Sequence, residues 1–424
     1  MQLPPQLQQE LDASSGSGGF YGTDANFLKN GGLQNHPIPP NTAADAREAT
    51  QSLITDQHVP VTYTWSLSFQ REIHKDWSLE TRYVGTRGLH LPIQFRWNNG
   101  VVPPANLFLP TYMSASEIPA ASTLAGMTTR QVFLNARKRL YSSLGFAGNV
   151  TAFEPVGNST YHAASMELKR RFARSYMMTA AYTYSHTIDD STNELFSSYI
   201  NPRRPEDVFN LRNERGNSAL DRRQRFVTSA IWELPLLRKS HGLLRQLGGW
   251  QLTGIFEAET GQWATPLSGV DSNGNSDSAG DRAIINSKGQ EGVGAGVNAV
   301  TRTGQVVSVS ATSATNIVAY VAKNSSAQYV TAEVGAKTNA ARNTLRGAGI
   351  NNFSFSIVKD FFFKPESQKK IQFMAYMLNA FNHPQYTVDA LNFGYVQVAS
   401  PDFNDNKIFS GGHRTIQLAL KFHF

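Results

Sequence analysis

The chain has 424 residues, with 33 Gly, 25 Phe and 15 Tyr, a composition that leans towards β structure and has room for one large barrel-type domain or about two to three ordinary ones. It has no cysteine, which excludes disulfides, thiolate metal sites and cysteine nucleophiles. The formal charge of +7 is scattered and accompanies no recognition motif, so nucleic acid is not an expected partner. No apolar run of about 18 residues is present to make a helical span, which says nothing about a β-barrel.

Residues 1–58 are rich in Pro, Gly, Ser, Asn and Gln and read as an irregular polar segment, with a helical possibility only at 43–53. Alternation begins at 62–71, where Tyr63, Trp65, Leu67 and Phe69 oppose Thr62, Thr64, Ser66, Ser68 and Gln70. Side chains alternate across a strand, so this run has one apolar and one polar face. The link His74-Lys75-Asp76 leads to Trp77, Leu79, Thr81 and Tyr83, alternating with Ser78, Glu80 and Arg82; the two runs predict a hairpin. Residues 88–160 lose the pattern, apart from a helical piece at 128–140 and a candidate strand at 144–153. The pattern returns at 161–172 and 176–185, turned by Ala173-Arg174-Ser175, and again at 226–234 and 250–260, joined by 235–249. A fourth pair, 352–363 and 370–381, is turned by Lys364-Pro365-Glu366-Ser367. Residues 188–223, 266–349 and 383–413 read as long loops. The last strand, 415–424, sets Ile416, Leu418, Leu420, Phe422 and Phe424 against Thr415, Gln417, Ala419, Lys421 and His423.

The connections alternate short and long along the chain. Membrane barrels have short periplasmic turns and long external loops, whereas a soluble sandwich has no reason to sort its connections by parity. The expected fold is therefore all-β: an antiparallel, up-and-down transmembrane β-barrel, or about nine strands of one, over residues 59–424, with residues 1–58 an extracellular loop. The strands at 62–71 and 415–424 should be edges. The apolar face should meet lipid through an aromatic girdle of Trp65, Phe69, Trp77, Tyr182, Trp232, Trp250, Phe256, Phe355 and Phe373, with Phe422 beside them. A soluble or secreted β-rich module of glycan-binding type, using its Trp and Tyr rows for stacking, stays open as the alternative.

The stretches YHAASMELKRRFARSYMMTAAYTYSHTIDDS, DRRQRFVTSAIWELP, GGWQLTGIFEAETGQ, RNTLRGAGINNFSFSIVKDF, KIQFMAYMLNAFNHPQY and RTIQLALKFHF resemble, in this order, the C-terminal half of Oar-like TonB-dependent receptors. The similarity covers most of residues 59–424. It implies an outer-membrane transporter whose whole form carries a signal peptide, a β-sandwich, a plug and a barrel of about 22 strands. The start MQLPPQLQQELDASSGSGGF lacks a basic segment followed by an apolar one and is read as a truncation. The resemblance further implies outer-membrane lipid as a partner, an inner-membrane TonB complex engaged only through the missing N-terminal part, and a substrate that the residues do not name. It also implies that Leu420, Phe422 and Phe424 form a signal to the barrel-assembly machinery.

No catalytic residue, cofactor or metal site is expected. Asp271-Ser272-Asn273-Gly274-Asn275-Ser276-Asp277 spaces oxygens like the start of a calcium loop, but Ser276 stands where Gly is wanted and Arg282 where a bidentate Glu is wanted. Residues 292–296 are glycine-rich but open no helix, so they are not a phosphate cradle. His186, Asp189, Asp190 and Glu194 read as a solvated loop mouth. Asp221-Arg222-Arg223-Gln224-Arg225 reads as an ion-paired loop base, with a basic ring at the mouth as its functional alternative.

Overall fold

The two-residue alternation is realised as one continuous sheet in a computed structural model that describes residues 42–48, 58–192, 204–235, 247–363, 369–386, 393–406 and 410–424. Its strands are β1 (Val61–His74), β2 (Trp77–Arg96), β3 (Thr151–Ala173), β4 (Tyr176–Asp189), β5 (Gln224–Glu233), β6 (Trp250–Glu259), β7 (Ile350–Phe362), β8 (Lys370–Leu378) and β9 (Thr415–His423). They pair antiparallel in chain order, and the short strand Gly216–Asn217 joins β4 at one side. This is a single sheet. The soluble alternative would need two facing sheets with a shared core. The barrel is not closed: β1 and β9 are the two edges.

Several expected boundaries move. β2 runs on to Arg96 and β3 starts at Thr151, because their upper ends pair with each other past irregularities between Gly88 and Ile93. The expected strand at 144–153 is thus replaced by a 3-10 turn at Ser142–Leu144 and the first residues of β3. Of the first helical piece, Ala43–Glu48 is helical and the remainder lies outside the described residues; the second shrinks to Arg130–Ala136, capped where the Thr129 hydroxyl accepts from the Val132 amide. In the β3–β4 link, Arg174 and Ser175 both adopt positive φ, the handedness a two-residue hairpin turn requires of its central residues.

The register carries a stagger. Following paired residues from Trp77, the first residue of β2, the row passes Arg170, Met178, Ala230, Gly254, Phe355 and Met377. Trp77 sits at its short link, whereas Met377 stands seven residues past Lys370, the first residue of β8. Seven residues over six strand steps, at about 3.3 Å per residue and 4.8 Å per strand, is a tilt of about 40°. Closed membrane barrels tilt by a similar roughly 35–45°.

The main correction concerns residues 266–349, expected to be irregular. They fold, with parts of the other long connections, into a cap that has its own hydrophobic core. Val297–Thr301, Val306–Val307, Ile317–Ala322 and Thr111–Tyr112 form a four-stranded sheet; Ile284–Ile285, Ala327–Val330 and Gln290–Ala295 form a three-stranded one. Phe133, Ile317, Tyr320, Val330 and Leu109 are buried together between them. Loops without a core would leave these side chains in water, so the cap is held by the same burial that drives any small domain.

Candidate functional site: the membrane wall and the loop cap

Cross-strand partners share a face, so the registers fix which residues lie together. Trp65 pairs with Gly85, Phe69 with Thr81 and Thr81 with Met166; Met166 then pairs with Tyr182 and Tyr182 with Phe226. Further along, Trp232 pairs with Leu252, Phe256 with Phe353, Phe355 with Met377 and Phe373 with Leu420, while Phe422 pairs with Ile371. Trp77 and Trp250 are on this face by the same count. All the expected girdle residues, together with Leu420 and Phe422, therefore share one face. Trp65, Phe69, Tyr182, Trp232 and Phe422 are exposed; Trp77, Trp250, Phe256, Phe355 and Phe373 are partly covered by neighbours on the same face. Phe424 lies past the end of β9, 93% exposed and stacked on Phe422.

Charge divides the two faces further. The apolar face of the wall carries Arg71, Arg170 and Lys359 near the short-link ends of their strands and Arg87 midway along β2, and no carboxylate among the described residues. Arg170 lies over the Trp77 and Tyr176 rings, and the Lys359 ammonium lies near the Trp250 and Phe361 rings and donates to the Gly248 carbonyl. The opposite face holds the carboxylates in pairs: Glu80 with Arg82 at 2.5 Å, Glu257 with Arg225 at 2.6 Å, Asp360 with Lys370 at 2.7 Å, and Glu167 with Lys169.

The motifs singled out from the sequence come to rest inside the cap or at its base. Asp271 pairs with Arg137, and Asp277 is bound by Arg204 at 2.5 Å and Arg96 at 3.0 Å. Asn273 and Asn275 both donate to the Glu206 carbonyl. Asp277 and one oxygen of Asp271 thus face protein donors, while Asp271 Oδ1 has no hydrogen-bond partner among the described residues. Residues 290–295 are a strand, pairing in parallel with Ala327–Val330. His186 contacts Asn217 at 3.0 Å, Asp189 is bound by Arg342 and Thr192, and Asp190 by Asn158 and Arg215; Glu194 lies outside the described residues. Asp221 is buried and accepts from the Thr187 amide and the Trp263 indole, while Arg222 and Arg225 reach Glu259 and Glu257.

A buried polar joint between cap and wall has no counterpart in the sequence pattern. Arg342, fully buried, donates to the Asp189 carboxylate and to the backbone carbonyls of Asp189 and Glu214. Arg282 is equally buried and binds Glu214, with Glu206 at 3.8 Å. Asp281 accepts from the Ser272 hydroxyl and the Asn273 amide, but its other oxygen has no hydrogen-bond partner among the described residues. Burial, reinforced by the nearby Glu206 charge, pushes its carboxyl well above the ordinary value.

A carboxyl held up in this way binds its proton more tightly in the folded cap than in the open one. Its stabilising contribution is complete below the unfolded value near 3.8 and is lost as pH rises through the folded value. Burial also pushes Asp277 up, but the hydrogen bond and charge of Arg204, with Arg96, hold it below the ordinary value, so it stays ionised across mildly acidic pH. The cap should therefore resist urea-induced proteolysis better at pH 5 than at pH 8. Asp281→Asn should reduce that difference, the remainder resting with Glu206, whose carboxyl burial also holds up, and should stabilise the cap at pH 8 by at least about 1 kcal/mol, the scale of one relieved buried polar group. An unchanged pH dependence in the variant would assign the effect elsewhere.

The family model of the outer membrane beta barrel domain matches residues 2–417. No curated protein matches the chain. Among solved structures, the chain is similar to the outer membrane transporter YddB from Escherichia coli at 10% identity and a TM-score of 0.36, covering 88% of this chain and 33% of that one. It is similar also to BauA, the ferric preacinetobactin receptor from Acinetobacter baumannii, at 9% identity and a TM-score of 0.36, covering 85% and 29%. The pyoverdine outer membrane receptor FpvA from Pseudomonas aeruginosa PAO1 gives 7% identity and a TM-score of 0.35, covering 86% and 30%. The chain spans about a third of the length of these structures. With the family model matching nearly the whole chain, and with the strands forming a tilted up-and-down sheet, the chain belongs to the outer membrane β-barrel domain family and is a protein of the Gram-negative outer membrane.

Proposed function

We propose that the chain is part of the barrel wall of a TonB-dependent transporter of the Oar-like kind. Its apolar face meets lipid and its ion-paired face lines a lumen that a plug occupies. The observation that carries this reading is the nine-strand arc with two open edges. In an antiparallel run of nine, β1 and β9 point the same way. They therefore cannot close on each other without a parallel seam, and an odd number of further strands must lie between them. A barrel of about 22 strands, the size of plugged outer-membrane transporters, meets that condition. Substrate, plug and TonB complex would act through parts outside this arc, and we assign the arc no enzymatic role. The resemblance of the six quoted stretches to Oar-like receptors supports the subtype.

The absence of cysteine makes the test clean. Cysteines placed at Leu67 in β1 and Leu418 in β9, in the protein carried in an outer membrane, should not cross-link to each other, because other strands intervene. Efficient cross-linking would show a self-closed barrel of nine strands and overturn the proposal.

A further inference from the structure

We infer that the apolar face of β1–β3 holds an anionic, acylated lipid of the outer leaflet, with an acyl chain in a wall groove and its phosphate at Arg87. The inference rests on that face being the lipid-facing one. Its first observation is a groove of about 440 Å³, where Thr81 and Ala164 lie between the larger Leu67, Phe69, Tyr83 and Met166. The registers put all six on the apolar face. Two small side chains among these large ones, with Tyr182 and Tyr184 of β4 on the far side, leave a furrow in the wall. At hydrocarbon depth an acyl chain is the ligand that fills such a furrow.

The second observation is what lies above the furrow. Arg87 stands ten residues along β2 from Trp77, and at the tilt found here that is about 25 Å of depth, the height of a barrel's apolar band. The Trp77 end belongs to the short links and the Arg87 end to the long loops, so Arg87 is level with the outer leaflet's head groups. It is exposed and has no carboxylate partner among the described residues. Between Arg87 and the furrow lies a polar rung. The Tyr83 hydroxyl is bonded to His162 Nδ1 at 2.8 Å, and the Trp65 ring meets the His162 ring edge-on at 6.1 Å. Trp65 lies over Gly85, where a Cβ would collide with the indole. A cation, a polar rung and an apolar furrow then follow in the order in which a lipid presents phosphate, linkage oxygens and acyl chain. The lack of any carboxylate on this face among the described residues completes the charge match.

The test uses the complete barrel that contains this arc, recovered from outer membranes and placed in phosphatidylcholine nanodiscs with lipid A as the probe. Lipid retained after washing is read by mass spectrometry. Wild type should keep lipid A, and Arg87→Gln should weaken that retention about fivefold, the worth of one cation at a membrane surface, without changing retention of dephosphorylated lipid A. Ala164→Phe, which fills the furrow, should weaken retention of both lipids. Ala230→Phe, on the same face outside the furrow, should weaken neither and so controls for insertion. Equal retention by wild type and Ala164→Phe would overturn the inference, as would retention of phosphatidylglycerol equal to that of lipid A. The orientation of the wall is tested separately by arginine substitutions at Leu418 and Gln417, so failure of the lipid site is distinguishable from failure of the wall assignment.

Discussion

Leu418→Arg should cost about 2–4 kcal/mol of stability in a bilayer, whereas Gln417→Arg, one residue away, should be nearly neutral. Leu418 is 66% exposed on the apolar face and pairs with Ala375, five residues along β8 from Lys370. At the tilt found here this is about 13 Å from the short-link end, close to the middle of an apolar band of about 25 Å. A guanidinium there has neither water nor a carboxylate within reach of its own face. Gln417 instead pairs with Tyr376 on the ion-paired face, where an added cation meets other polar groups. The same contrast is expected between Ala180 and Thr179 in β4. Unfolding in lipid vesicles, monitored by denaturant midpoint, checks both pairs. Equal costs within each pair would reverse or abolish the assignment of faces.

Period-two alternation made the wall legible, and it did so because each face meets one environment along its whole length. Strands such as 62–71 and 415–424 need no tertiary information to be found. The cap was harder to read for the opposite reason. Its strands are two to six residues long, too short to establish an alternation, and the one buried on both sides, Ile317–Ala322, shows a short apolar run instead. Ile317-Val318-Ala319-Tyr320-Val321 is such a run, entirely buried, and it was the one local signal that residues 266–349 hold a core. The polar joint gave no signal at all. Arg342 and Asp189 are 153 residues apart, as are many pairs of opposite charge, and only the fold decides which of them meet. Nor does the spacing of the loop at 271–277 name the partners of its carboxylates, which are Arg137 for Asp271 and Arg204 and Arg96 for Asp277.

Deleting Phe424 should abolish outer-membrane insertion in cells while leaving refolding in detergent largely intact. The expectation follows from how little the residue does within the sheet. Phe424 lies past the last strand, 93% exposed, touching Phe422 by ring stacking at 6.3 Å. Fully burying a Phe is worth only about 1.5–3 kcal/mol, so losing one that is almost wholly exposed leaves a large barrel folded. The open edge of β9 offers something else. Its amides on the side away from β8 are free to take an added strand, and Leu420, Phe422 and Phe424 lie along one face at alternate positions. That arrangement suits recognition by strand addition, with pockets reading every second side chain. A receptor in the assembly machinery that reads this edge loses its terminal contact when Phe424 is removed, and the cell then fails to insert a chain that can still fold. Outer-membrane fractionation after the deletion decides the matter. Normal insertion would leave Phe424 with an interfacial packing role alone.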